Sequence, residues 1–289
     1  MKEAFSQGEQ EDDEARRFLV GIGRGAAGAL IFGIPMLMTM ELWYLGFYID
    51  RYRLLLLLIA NLPLLVMLAH RMGFEQTFTW REAIRDATTA YGIAIVMSAL
   101  VLLVIGNIHL TMPSTEILGK IAIQSVPASI GALLGRSQLG GQSDEDQEEQ
   151  DEDPAGESDT SYGRELFMMA VGALFLSLNV APTEEIILIA FKMTPWHSIA
   201  LLVLSVCLMH AFVYAVAFRG THELTDQTPG WHALVRFTLP GYIVATAISL
   251  YVLWTFGRLD GAAFGQVLSF AIVLGFPASI GAAAARLIL

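Results

Sequence analysis

The chain has 289 residues, of which 55% are hydrophobic and only 16% charged, with a single cysteine. Soluble domains carry about 25% charged residues, so this composition argues against a soluble globular protein, and one cysteine excludes an intrachain disulfide. The net charge of −11 is concentrated in EQEDDE (9–14) and DEDQEEQDED (144–153). It therefore describes polar segments rather than a binding face, and no basic strip is present that would suit nucleic acid.

Residues 1–18 are polar and acidic up to Arg16-Arg17 and read as a disordered N-terminal tail. The apolar stretch that follows is too long for the core of a cleavable signal. A bilayer-crossing helix needs roughly 20 mostly apolar residues. The first four candidates lie at about 25–49, 54–70, 88–106 and 117–135, and make up a unit over 19–136. The first, like the fifth below, is long enough to tilt or to contain a break, for which Pro35 is a candidate point. The fourth is interrupted by Lys120, Gln124 and Pro127. Segment 137–162 follows, nearly free of apolar residues, and reads as a disordered acidic linker. Four more spans follow at about 165–191, 197–218, 237–256 and 263–285, within 163–289, and Pro182 is the expected break in the first of these. With the N-terminus in the cytoplasm, most of the lysines and arginines fall inside, Arg16, Arg17, Arg71, Arg81, Arg85 and Arg164 among them. Only Arg51, Arg53, Lys120, Lys192 and Arg258 fall outside. This positive-inside bias predicts a multi-pass protein with both termini and the linker cytoplasmic.

The two halves repeat. VPASIGALLGR (126–136) matches FPASIGAAAAR (276–286), EQTFTW (75–80) matches DQTPGW (226–231), and Thr39-Met40-Glu41-Leu42 falls on Thr183-Glu184-Glu185-Ile186. The matches keep their order at nearly constant offset. Four spans per half means that both halves enter the membrane from the same side, so the prediction is an all-α fold of eight transmembrane helices in two parallel four-helix repeats.

The repeat places a carboxylate at equivalent positions, Glu41 and Glu185, with Glu184 extra in the second half. An acidic side chain near the centre of a membrane helix costs roughly 2.5–3.5 kcal/mol, so these groups must face protein, water or each other. If the two long helices met at the pseudo-twofold axis, Glu41 and Glu185 would share a proton or bind a cation between them. Thr39, Thr183 and Asn179 could complete a hard-cation or hydronium shell. The alternative is structural, with the glutamates capping helix breaks. His210 reads as a proton relay or an interhelical hydrogen bond, Cys207 as a small buried hydrophobe, and Trp80 and Trp231 as interface anchors. No phosphate-binding loop, dinucleotide fingerprint, zinc motif or nucleophile elbow occurs. No catalytic residue, resident metal or cofactor is therefore expected, and the chain does not read as an enzyme.

PMLMTMELWYLGF (35–47), NVAPTEE (179–185), the two QTxxW loops and the two PASIG helices together resemble a family of bacterial integral membrane proteins of unknown function. The resemblance implies a multi-pass protein of the prokaryotic cell inner membrane and carries no chemistry. The expected function is a transporter or channel for a small cation or proton, with the lipid bilayer and a second copy of the chain in a homo-oligomer as expected partners. The alternative is a membrane scaffold or assembly factor with structural glutamates and a linker that recruits partners.

Overall fold

A computed structural model describes residues 2–71, 79–109, 111–138, 158–217 and 234–288. Every regular element among them is helical. In chain order these are α1 (Lys2–Leu37), α2 (Met40–Tyr48), α3 (Arg51–Arg71), α4 (Trp80–Val104) and α5 (Ser114–Gln138). They are followed by α6 (Ser158–Val180), α7 (Glu185–Lys192), α8 (Pro195–Ala217), α9 (Leu239–Thr255), which is entered through a π-helical turn at Leu234–Thr238, and α10 (Phe264–Ile288). Eight of these segments are long and apolar enough to cross a membrane, so the chain is an all-α, multi-pass membrane protein.

Two compact units divide the chain. One comprises Met1–Phe47 and Leu55–Glu152, the other Tyr48–Leu54 and Asp153–Leu289. Tyr48–Leu54 groups with the second unit because Arg53 is anchored there. Its guanidinium makes two hydrogen bonds to the Asp260 carboxylate, at 2.8 and 2.9 Å, and one of 2.8 Å to the Trp254 carbonyl. It also lies 5.0 Å from the centroid of a Trp254 ring, and a planar fork suits such paired recognition better than an ammonium would.

In the first unit α5 is the central helix, with 78% of its span buried, and α1 and α4 pack against it. Lipid offers no hydrophobic drive between helices, so close backbone contact must supply the attraction. The α1–α5 crossing shows this: a β-carbon on Gly28 would stand 2.6 Å from the Cα of Gly135. In the second unit α10 holds the corresponding place, 56% buried, against α6, α8 and α9. There a β-carbon on Gly172 would stand 2.6 Å from that of Ala285. Outward faces are apolar, as lipid contact demands: Phe264 is 85% and Trp196 80% exposed.

Several expectations shift. The first and fifth spans are shorter than read, Leu19–Leu37 and Tyr162–Val180, because each ends at a break. The fourth, over Ser114–Gly135, runs through Lys120, Gln124 and Pro127 without interruption. Helix α1 begins at Lys2, so the backbone of the acidic N-terminal segment is helical, and Ser158 opens α6 within the stretch read as linker. Residues 139–157, the QTxxW loops up to residue 78, and Trp231 lie outside the described residues. Cys207 is exposed on α8, not buried. A thiol is as content against lipid as in a core, so the composition of the run did not distinguish them.

Candidate functional site

Breaking a helix leaves its last four carbonyls without partners, an expensive condition where water is scarce. In the first unit all four at the end of α1 are satisfied. The Met38 amide donates to Ile34 O, the Thr39 hydroxyl to Pro35 O at 2.6 Å, the Thr39 amide to Met36 O, and the Trp43 ring N–H to Leu37 O at 2.7 Å. Buried Gln124, reaching across from α5, adds a second donor to Met36 O at 3.3 Å. The break therefore falls at residues 38–39, a few residues after Pro35, which remains inside α1. It is held open by three side chains, from Thr39, Trp43 and Gln124.

Glu41 lies in the first turn of α2, the helix that restarts there, and is partly buried. Instead of sitting well inside one long helix, it stands at the positive end of a short one, where a carboxylate is favoured by the exposed amides. The second unit shows the same arrangement. Helix α6 stops at Val180, and the carbonyl of that residue accepts from the Thr183 amide and from its hydroxyl at 2.8 Å. The Arg258 guanidinium holds the Pro182 carbonyl. Glu184 is the N-cap residue of α7 and Glu185 its first residue, both exposed. The Asn179 amide donates to Phe175 O at 2.9 Å, one turn back on α6. Glu41 and Thr39 thus belong to the first unit, and Glu184, Glu185, Thr183 and Asn179 to the second. His210 Nδ1 lies 3.0 Å from the Thr238 hydroxyl, a hydrogen bond between α8 and the π-helical turn. Among the described residues no three His, Cys, Asp or Glu side chains converge as a metal-binding set would.

Sequence reasoning passed over the most polar feature of the first unit. Lys120, taken for a residue outside the membrane, lies within α5 with its side chain only 9% exposed, and its Nζ is 2.9 Å from Glu116 Oε1. The Asn107 carbonyl accepts a further hydrogen bond from the same ammonium at 3.2 Å. Two pieces of local chemistry bring these groups together. Helix α4 ends in a Schellman turn: Gly106 adopts φ +74°, its amide bonds to Leu103 O, and the Asn107 amide bonds to Leu102 O. Glycine takes that left-handed conformation without the β-carbon penalty, and the turn aims Asn107 at α5. Helix α2 then lies directly over α5, because Gly46 has no β-carbon to strike the Lys120 backbone, whose Cα would be 2.7 Å away. Between them is a pocket of about 450 Å³ lined by Met40, Trp43, Tyr44, Phe47, Asn107, Glu116 and Lys120. The legible signal was the i,i+4 Glu-Lys pair opening an otherwise apolar span.

Residues 21–289 match a family described as "Putative integral membrane protein (DUF2391)". The chain belongs to this family. No curated protein matches it, and no solved structure does. Membership agrees with the eight spans and with a protein in contact with the bilayer; as a domain of unknown function the family assigns no chemistry to any residue named above.

Proposed function

We propose that this protein is a transporter or channel for a proton or small cation, with Glu41 in one unit and Glu185, helped by Glu184, in the other as protonation or ion-binding sites. One observation carries the reading: each unit interrupts a spanning helix and starts the next with a carboxylate in its first turn. Broken helices at membrane depth are tolerated where they line protein or water, and transporters build their sites at such breaks. Thr39 and Thr183 each spend their hydroxyl donor on a backbone carbonyl, and Asn179 one of its two N–H groups, which leaves their side-chain oxygens as acceptors for an ion or hydronium. His210, in contact with the Thr238 hydroxyl, serves as a relay in the second unit. The repeated motifs support a reading of the halves as parallel repeats, and the lysine and arginine distribution supports cytoplasmic termini. The chain has no catalytic role in this reading.

The test is flux through proteoliposomes under an imposed proton or potassium gradient. Wild-type protein should conduct, and Glu41→Gln with Glu185→Gln should reduce the rate at least tenfold. Equal flux in both removes the proposal. A second reading has its own support: a carboxylate in a first turn is stabilised by the helix end whether or not an ion passes. In that case the glutamates are structural and the protein is a membrane scaffold. Neither protein would then carry flux, and deleting 140–160 would release a co-purifying partner.

A further inference from the structure

The π-helical turn at Leu234–Thr238 interrupts the regular entry to α9. Such turns are rare and frequent at functional sites, and the last residue of this one accounts for it. Three hydroxyls follow on α9, those of Thr246, Ser249 and Thr255. Each donates to the carbonyl four residues earlier at 2.8 Å, the common local bond of such a group inside a helix. Thr238 is fully buried and does otherwise. Its hydroxyl makes no capping bond to α9 and lies 3.0 Å from His210 Nδ1 on α8. A buried hydroxyl proton needs an acceptor, so the hydroxyl donates and Nδ1 accepts. The ring is then neutral, with its own proton on Nε2.

The first unit is built without this pair. Thr238 stands seven residues after the tryptophan of its QTxxW motif, and seven residues after Trp80 comes Ala87, buried within an uninterrupted α4. His210 is the sixteenth residue of α8, and the sixteenth of α3 is Val66. The helix is regular where the two positions hold valine and alanine, and π-helical where they hold histidine and threonine. Other titratable groups lie on the neighbouring elements. Arg236 belongs to the turn itself, and its guanidinium lies 5.7 Å from the centroid of the Tyr162 ring and 5.8 Å from that of Phe237. Helix α9 brings Tyr242, α6 brings Tyr162, Arg164 and Glu165, and α10 brings Arg286, whose side chain lies outside the described residues. On α8 itself the other histidine, His197, is at the opposite end.

We propose that the His210–Thr238 bond is a proton-controlled latch on the π-helical turn. With the ring neutral, Nδ1 takes the Thr238 hydroxyl and the turn stays wide. A proton from water puts an N–H on both ring nitrogens and removes the acceptor. The hydroxyl then turns to the Leu234 carbonyl, four residues back, and the turn closes to the α-helical form that presents it. Closure rotates the side chains of the turn by one helical residue, about 100°, and carries Arg236 off the Tyr162 ring. The latch concerns the histidine assigned above as a relay, but it does not rest on transport.

The test is the distance between paired spin labels on the whole chain in lipid nanodiscs. Cys207→Ala removes the native thiol, and Leu204→Cys on α8 with Val235→Cys in the turn, both exposed positions, carry the labels. From about pH 8 to about pH 5, the range in which histidine changes charge, the main distance should shift. A shift of about 5 Å is expected, because the rotation carries a side chain part-way round a helix about 10–12 Å across. His210→Asn keeps a neutral acceptor near the Nδ1 position and should hold the high-pH distance throughout. Thr238→Ala, which installs the residue of the first unit, should hold the low-pH distance throughout. A wild-type distance that does not move with pH overturns the latch. So does an equal shift in His210→Asn, which would assign the titration to another group such as Glu165, or the high-pH distance in Thr238→Ala. Each variant decides by itself, so misfolding of one leaves the other as the test. No flux is read, and the outcome is independent of the flux experiment.

Discussion

Lys120 shows how a charge survives inside a membrane span. Its ammonium is never alone: Glu116 lies one turn earlier on the same face, and the Asn107 carbonyl closes the shell. Removing one member leaves the other buried and uncompensated, which typically costs about 3–5 kcal/mol. Lys120→Met should therefore lower stability by about 3 kcal/mol, read as a fall in the thermal midpoint in detergent. The double variant Lys120→Met, Glu116→Leu should lose less than Lys120→Met alone, since the second unit packs Phe270 at the same helical position. Losses that simply add would show that the pair is not coupled. Composition counted Lys120 as an interruption because a span was judged residue by residue. Only its partners made the charge tolerable: Glu116 comes from the same helix, and the Asn107 carbonyl is delivered by the turn that ends α4.

At the level of elements, the breaks and the glycine crossings organise each unit. The sequence pointed to breaks near Pro35 and Pro182, and both exist. Their exact positions follow from the donors available, Thr39, Trp43 and Gln124 in one case and Thr183 and Arg258 in the other. Gln124 comes from a helix distant in sequence, so no local pattern could place it. Trp43→Phe keeps the ring and removes the N–H donated to Leu37 O, and should cost about 1 kcal/mol, read as a lower thermal midpoint. The crossings predict a sharper contrast. Gly28→Val forces a side chain into the α5 backbone and should destabilise by about 1–3 kcal/mol or more. Gly21→Ala on the same helix meets nothing within 4 Å and should be neutral or slightly stabilising through helix propensity. Thermal unfolding of the two variants side by side checks this; equal effects would remove the close approach as the basis of packing.

For the molecule as a whole, apolar side chains fill the core and also cover the outside. Large apolar side chains such as Trp196 and Phe264 lie outside, and the buried polar groups Asn61 and Ser129 hydrogen-bond at 3.0 Å within the first unit. Cys207, the single cysteine, is a built-in reporter of this order. A spin label attached there should collide readily with dissolved oxygen and poorly with a water-soluble nickel chelate; the opposite preference would place α8 against water. Apolar length alone made the eight spans and the helical class legible, because a bilayer admits few other backbones. The glutamate-bearing segments were also legible, with a break near each proline and glutamates capping those breaks as one of the two readings. What only the tertiary structure decided is which distant polar groups meet: Gln124 with the end of α1, Arg53 with Asp260, and Lys120 with the Asn107 carbonyl beneath α2. Crossing a membrane is a property of a stretch of chain and is written in its local composition. Satisfying a buried donor or acceptor depends on a partner that folding brings from elsewhere, and no local run of residues encodes that partner.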